Sequence, residues 1–333
     1  MATLSKTSIF NHISEFCDRE NLFFPDQTLI VGLSGGPDSV FLLYYLLAVQ
    51  KKYNLTLIAA HLDHGWRKES AADTEFCKRL CASLGITLVT AHLQEIALTK
   101  KNSGSAEETA RNARRAFFEQ CAREYQADAI ALAHHQDDAA ETFFIRLIRG
   151  SGLMGLTGIK AKAGRYIRPL LSARKKEILD YLQEHTISYC HDVTNANTDI
   201  LRNNIRHNVL PVYDTLDTRA HDNLLRSIEQ LQAADTFIEK LAQARYHELF
   251  SHGMLDIDGL LNEDTVLMHR ILLQWLIDAQ VHFVPTEKFF AEIIRFLKQP
   301  GSKTHTITQN WAIHKIKRKA QIIGQSSSSS VRI

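Results

Sequence analysis

The stretch LIVGLSGGPDSVFLLYYL, from Leu29 to Leu46, decides how the chain is read. Leu29-Ile30-Val31 is short and β-branched, as in a buried strand, whereas the wholly apolar run from Val40 to Val49 fits a helix. Between them, Ser34 to Ser39 hold two glycines, a proline, an aspartate and two serines. This insert predicts a strand-to-helix turn. Such a turn aims backbone N–H groups and the positive end of the helix dipole at one point, which favours a bound phosphate.

Outward from this turn, β-like and α-like patterns alternate. Strand-like runs fall at Thr28–Leu33, Leu55–Leu62, Ile86–Leu93 and Ala127–Ala133, separated by helical stretches at about 38–52, 70–84, 105–124 and 138–149. The alternation predicts a parallel, doubly wound sheet with helices on both faces, against which the all-round apolar helix from Val40 would be buried. A hairpin is expected around KAKAGRYIRPL and a helix from about Ser172 to Glu184. The polar, basic HDVTNANTDILRNNIRHNVLP then ends at Pro211, where the domain boundary is placed. Beyond it, Leu224, Ile228, Leu231, Ile238 and Leu241 mark one long amphipathic helix. Helices near Val266–Ala279 and Thr286–Lys298 follow, and THTITQNWAIHKIKRKAQII alternates like short strands. The expected organisation is an α/β domain over 1–215, a smaller, mainly helical C-terminal domain over 216–324 and a flexible, serine-rich tail over 325–333.

Composition limits the rest. With 333 residues, 45% of them hydrophobic, the chain can build one large domain or two ordinary ones with proper cores. The run Val40–Val49 is too short to span a bilayer, and MATLSKTSIFNHISEF lacks the apolar block of a signal peptide, so a soluble, cytoplasmic protein without a membrane partner is expected. Cys17, Cys77, Cys81, Cys121 and Cys190 form no CxxC pair, which speaks for ordinary reduced thiols over a disulfide framework or a zinc ribbon. The charge is asymmetric. Eight of the 39 Lys and Arg residues follow Glu292 and none of the 37 Asp and Glu residues does, leaving 31 basic against 37 acidic groups before it. That basic end reads either as a patch for a polyanion or as a solvated surface.

The turn lacks the Gly-Lys pair of a Walker A loop, so a phosphate there is held differently. Gly35 and Gly36 permit close backbone approach, Pro37 presets a turn, Ser34 and Ser39 offer hydroxyls, and Asp38 can hold Mg²⁺ between phosphate oxygens. The string resembles the pyrophosphate loop of the N-type ATP pyrophosphatases, which split ATP into AMP and pyrophosphate while adenylating a substrate.

The other polar motifs lie where strands end, the edge at which open α/β sheets bind ligands. HLDHGWRKES, His61 to Ser70, offers His61, Asp63, His64 and Arg67 as pocket-lining candidates, against the alternative of a polar surface loop. SAEETARNARR opens a helix with a capping box, Ser105 and Glu108, and sets Arg111, Arg114 and Arg115 on one face, either for phosphate or for pairing with Glu107 and Glu108. HHQDDAAET places Asp138, Glu141 and Thr142 on one helix face after the fourth strand. Two carboxylates beside a cleft can hold a metal, act as a base or clamp an ammonium group. A zinc site from His134 and His135 is disfavoured, because adjacent residues of a strand point to opposite faces.

In this order, LSGGPDS, HLDHGWRKES, EETARNARR, HHQDDAAETFFIRLIRGSGLMGLTGI, RPLL with KKEILDYL, and DVTNANTDILRNNIRHNVLP are similar to the motifs of bacterial tRNA(Ile)-lysidine synthetases, from about Leu29 to Pro211. The resemblance implies a PP-loop, adenine nucleotide alpha-hydrolase-like fold and an ATP-dependent ligase. Such an enzyme joins L-lysine to C2 of the wobble cytidine of an isoleucine tRNA with a CAU anticodon, through an adenylated cytidine. It implies ATP and Mg²⁺ at Ser34 to Ser39, with Asp38 managing metal and phosphate. It further implies Arg111 for the developing negative charge, Asp138 and Glu141 for the lysine ammonium, Arg206 for the leaving AMP or the tRNA backbone, and a homodimer.

Three departures stand out. Arg115 occupies a position where the family usually has tyrosine, so local packing or a tRNA contact is expected to differ. Pro37 replaces a β-branched residue with little harm to a turn. The chain is also expected to lack the further C-terminal domain of some members, which would leave discrimination among tRNAs to the helical domain and its basic end. Two alternatives stay open: a PP-loop tRNA-thiolating enzyme, which needs reactive cysteines, and a nonenzymatic tRNA- or nucleotide-binding module.

Overall fold

The computed structural model describes residues 8–63, 65, 70–96, 106–190 and 201–324, with the backbone alone for 106–108. His64, Arg67 and Ser105, the side chains of Glu107 and Glu108, and the tail from 325 therefore lie outside the described residues. The described chain divides into two compact units between Glu229 and Gln230.

In the first unit, α1 (Ser8–Arg19) precedes β1 (Thr28–Gly32), α2 (Pro37–Tyr53), β2 (Thr56–Asp63), α3 (Ser70–Leu84) and β3 (Thr87–His92). Next come α4 (Ala106–Glu124), β4 (Ala129–Ala131), α5 (Gln136–Ile148), the short α6 (Leu153–Leu156) and the hairpin β5 (Lys162–Ala163) with β6 (Tyr166–Ile167). A 3₁₀ turn at Pro169–Ser172 leads into α7 (Lys175–Glu184). The helix expected from Ser172 thus starts three residues later, and α1, which the expectations omit, buries Phe10, Ile13, Phe16 and Cys17 at helical spacing.

The sheet order is β3-β2-β1-β4-β6-β5, parallel except for the edge strand β5. Period-two alternation divides the strands between two cores. Leu29, Val31, Leu57 and Ala59 pack with α1, α2 and α7, whereas Ile30, Ile58, Ala60 and Leu62 pack with Phe117, Phe118 and Cys121 of α4. Burial on both faces is why β1 reads as a continuous apolar run. The chain builds outward from β1 to β3 and then crosses to β4 on the other side of β1. The strand order reverses between β1 and β4, which opens a crevice at their carboxyl ends.

Pro211 does not break the chain. Helix α8 (Leu201–Asn204) widens into a π-helical turn at Ile205–Val209 and continues as α9 (Leu210–Leu216). A proline ring clashes with the carbonyl four residues before it, and widening the helix there is one way to accommodate it. Leu210 packs with Ile205, Ala140 of α5, and Leu224 and Ile228 of α10 (Ala220–Leu249). The division into units therefore falls inside α10 rather than at 215/216.

In the second unit, α10 is followed by β7 (Phe250–Ser251), β8 (Met254–Asp256), α11 (Ile257–Leu261), α12 (Thr265–Asp278), α13 (Glu287–Lys298), β9 (Lys303–Thr308), β10 (Trp311–Ile316) and β11 (Lys319–Gly324). The expected terminal strands are there, but they join β7 and β8 in one five-stranded antiparallel sheet, β7-β8-β11-β10-β9. His252 and Gly253, both at positive φ, make the tight turn between β7 and β8. The expected apolar stripe of α10 shifts along its length. Leu224 and Ile228 are buried, but further on Ala242, Tyr246 and Leu249 enter the core with Trp275, Phe296 and Ile313, while Ile238 and Leu241 line a surface groove.

The basic end also differs from an open patch. Lys315 is buried, and its ammonium donates to the carbonyls of Leu297 (2.7 Å) and Gln299, capping the end of α13. Arg318 pairs with Asp258 at 2.6 Å.

Candidate functional site

The loop after β1 is shaped by its glycines. A Cβ on Gly32 would stand 3.0 Å from the Phe118 ring. Gly35 has φ +85°, and a Cβ there would meet the sulfurs of Cys190 and Cys77 at 3.2 and 3.3 Å, so both conformation and space demand glycine. Gly36 is the N-cap of α2 and Pro37 its first residue, with no side-chain cap, so the opening amides of the helix keep their donors for a ligand. The Ser39 hydroxyl is buried. It donates to Gly36 O (2.9 Å), accepts from Ser34 N–H (3.1 Å) and lies 3.1 Å from Ser34 Oγ, bracing the loop from within.

His61 braces the loop from behind. Its Nδ1–H donates to Leu33 O at 2.9 Å, its Nε2 lies 3.0 Å from Thr74 Oγ1, and burial lowers its pKa, keeping the ring neutral. Asp63, at the end of β2, accepts from Gly65 N–H (2.8 Å) and lies 3.2 Å from His92 Nδ1. Burial opposes ionisation of Asp63, but hydrogen bonds from Ser70 and Gly65 and the charge of His92 prevail and lower its pKa.

The two ends of the crevice meet through His135. Its Nε2 lies 3.7 Å from Asp38 of the loop and 3.6 Å from Asp138, and its Nδ1 lies 3.3 Å from Asp137. Burial disfavours its charge, yet Asp137, Asp138 and Asp38 together raise its pKa. The same imidazole and the Lys175 N–H, donated at 2.8 Å, overcome burial to hold Asp137 well below the usual carboxylate range. Asp38 also binds Lys175 Nζ at 2.5 Å.

Glu141 is fully buried. Arg202 Nε (2.7 Å) and Arg206 Nε (2.5 Å) donate to it, and Arg202 Nη2 bridges on to Asp138 at 2.7 Å. Burial opposes the charge of Asp138, but His135 and Arg202 hold its pKa down. Burial likewise works against the Arg206 charge, and its bond to Glu141 more than restores it.

Arg111 stands near enough to His134, Arg146 and Arg168 for its charge to act on all three. Burial, and then the guanidiniums of Arg168, Arg202 and Arg111, push the His134 pKa down to about 4 against the pull of Asp138. Among the described residues, His134 Nδ1 and Arg168 Nε are buried without a hydrogen-bond partner. Uncompensated cations and orphaned polar atoms are the surroundings that an anionic, hydrogen-bonding ligand satisfies. Arg115 instead packs over the Tyr166 ring at 5.1 Å.

A metal site is less developed. Among the described residues, no three His, Cys, Asp or Glu side chains are grouped to hold an ion. Nucleotide-bound Mg²⁺ needs only one or two carboxylates besides phosphate oxygens, a role within reach of Asp38 at the mouth of the loop.

The structure thus joins Asp38, Asp138, Glu141 and Arg206 through His135 and Arg202, and sets Arg111 in a neighbouring cationic group. Sequence reasoning missed Arg202 and Lys175. Lys175 did leave a signal: Arg174-Lys175-Lys176 opens a helix with three cations, at the end where the helix dipole disfavours them.

Comparison with known proteins agrees with this architecture. Residues 5–213 match the PP-loop domain family. The chain is 34% identical over 251 residues to a tRNA(Ile)-lysidine synthase of Bacillus cereus, covering 74% of this chain and 53% of that protein. It is 36% identical over 217 residues to one of Thermotoga maritima, covering 65% and 52%. The chain therefore spans about half the length of these relatives. A U34-tRNA thiolase, NcsA, from Methanococcus maripaludis superposes with a TM-score of 0.58 over 67% of this chain and 77% of that one, at 19% identity, a likeness of fold alone. Among the described residues, no helix is long and apolar enough to cross a membrane. With the strand-end loop, the strand order and the family match in agreement, the chain belongs to the PP-loop domain family and is homologous to the bacterial tRNA(Ile)-lysidine synthases.

Proposed function

We propose that the chain is an ATP-dependent ligase that joins L-lysine to C2 of the wobble cytidine in the CAU-anticodon isoleucine tRNA. The observation that carries this reading is the convergence, at one crevice, of the Ser34–Ser39 loop and the Asp138–Glu141 carboxylates, linked by His135. A nucleotide loop and an ammonium-binding pair side by side suit a reaction that adenylates one substrate and attacks it with an amine.

In the first step, O2 of the cytosine attacks the α-phosphorus of ATP, the bond to the β-phosphate breaks and pyrophosphate leaves. The amides of the loop bind the outer phosphates and Arg111 steadies the charge that develops. Asp38 would hold Mg²⁺, which when bound would supply charge neutralisation on those phosphates. In the second step the lysine amine attacks C2, and AMP departs with O2. Asp138 and Glu141 hold the ammonium of the incoming lysine. Arg202 and Arg206 occupy those carboxylates in this structure, so binding lysine exchanges one cation for another. An Arg206 released in this way is free to meet the AMP phosphate or the tRNA backbone. The wobble base sits in a loop, where leaving the stack costs little. The second unit with its remaining basic residues is assigned to tRNA, and the setting is the cytoplasm.

A sulfur-transfer reading draws on Cys77 and Cys190 beside Gly35. Burial pushes Cys190 up to about 12 and raises Cys77 as well, which keeps both thiols protonated and poorly nucleophilic. The deciding experiment incubates the purified chain with Mg-ATP, labelled lysine and unmodified isoleucine tRNA bearing CAU, with a methionine tRNA of the same anticodon as control. Label is expected on the isoleucine tRNA alone. Absence of label on both, with tRNA and ATP bound, would overturn the reading and favour sulfur transfer or a nonenzymatic module.

A further inference from the structure

The loop has no lysine of its own, yet the outer phosphates of a nucleotide bring several negative charges to it. A helix N-terminus supplies about half a positive charge. Asp38, in the first turn of α2, works against even that, so a cation must come from elsewhere.

Lys175 brings a cation to this point. Its ammonium lies on Asp38 Oδ1, at the mouth of the loop and 137 residues away in sequence. Its backbone is anchored to the start of α5: Lys175 N–H donates to Asp137, Gln136 N–H donates to Ala173 O at 2.9 Å, and Gln136 Nε2 donates to Ser172 O at 2.7 Å. The segment is thereby fixed at the crevice between β1 and β4. Its two neighbours turn away, Arg174 to Asp222 and Lys176 to Asp180. Stability does not account for the arrangement. The Lys175 and Asp38 side chains keep 31% and 28% of their surface exposed, and such pairs contribute little to folding. A cation in the first helical turn is itself unfavourable.

We infer that Lys175 is the phosphate-neutralising lysine of this site, supplied by the start of α7 in place of the lysine that a Walker loop carries within itself. Without nucleotide it rests on Asp38. When ATP binds, Asp38 turns to the metal and Lys175 to the outer phosphate oxygens. This inference rests on the reading of Ser34–Ser39 as an ATP loop and adds the residue that completes it.

The test is equilibrium binding by calorimetry on the full chain, with Mg²⁺ and either α,β-methylene-ATP or AMP. Lys175→Met should weaken the triphosphate analogue by about tenfold or more while changing AMP affinity by less than about twofold, since a charge-assisted bond to the outer phosphates alone is removed. Lys175→Arg should recover most of that affinity, and the melting temperature of the nucleotide-free Lys175→Met chain should match the wild type. Unchanged analogue binding in Lys175→Met, or equal weakening for analogue and AMP, would overturn the inference. A wild-type chain that binds AMP but not the analogue would overturn the ATP reading itself.

Discussion

Two carboxylate–cation corners face each other across the crevice, and they are built on opposite principles. At the loop, Asp38 meets one lysine, and both side chains keep more than a quarter of their surface in water. At the start of α5, Glu141 has no exposed surface and is held by two guanidiniums that are each one-third exposed. A carboxylate open to water can change partners at small cost, because solvent covers the charges during the exchange. A sealed one cannot: a missing partner leaves a charge without water or a counter-ion. The difference marks the loop as the exchangeable corner and the Glu141 corner as the one that opens only when a second cation takes over.

The largest expected effect tests that contrast directly. Glu141→Gln should destabilise the fold by about 3 kcal/mol in urea denaturation, the lower end of the range for breaking a buried pair, because its arginines keep some access to water. A loss under about 1 kcal/mol would make the two corners alike. Asp38→Asn should leave stability within about 1 kcal/mol of wild type but reduce ATP–pyrophosphate exchange by about a hundredfold. Retained exchange would remove Asp38 from the phosphate chemistry. Asp138→Asn should raise the KM for lysine by about tenfold and that for ATP by less than about twofold, following the loss of one charge-assisted bond. The reverse pattern would move the α5 carboxylates to the nucleotide.

The imidazole between the corners carries a pH signature. Because the folded protein raises the His135 pKa above 6.5, its contribution is complete below that value and is lost as pH rises through the higher folded one. Wild-type stability should therefore decline over that window more than that of His135→Gln, as read from denaturation midpoints. Parallel curves would mean that the imidazole is not charged in the fold. The smallest effect extends the open-versus-sealed distinction to the second unit. Replacing Lys317 and Lys319 with alanine should flatten the salt dependence of tRNA binding by about 0.7–0.9 for each phosphate left without its cation, whereas Lys315→Met should lower stability and leave the slope alone. An unchanged slope in the double variant would return those lysines to the solvated surface.

Much of the first unit was legible because its signals are local. β1 and α2 follow from apolar runs, and the Gly35-Gly36-Pro37 turn from backbone chemistry that few other residues satisfy. Asp138 and Glu141 share a helix face by simple spacing. The partners of these residues were not legible. Arg202 and Lys175 lie 61 residues from Glu141 and 137 from Asp38, and no periodicity links positions so far apart. In the second unit, charge counting treated Lys315 as part of a basic surface, yet it is sealed against the end of α13. Its neighbour Arg318 is spent on Asp258.

The sequence by itself determined the alternation of strands and helices from β1 to α5, the turn suited to phosphate and the motifs at the strand ends, because each depends on neighbours within one or two turns of chain. Tertiary structure alone decided which cation meets which carboxylate, which hydroxyl braces the loop, and that the last strands pair with β7 and β8. Those choices are made where segments distant in sequence share one burial site, and there the cost of an unpaired buried charge or backbone group selects the partner.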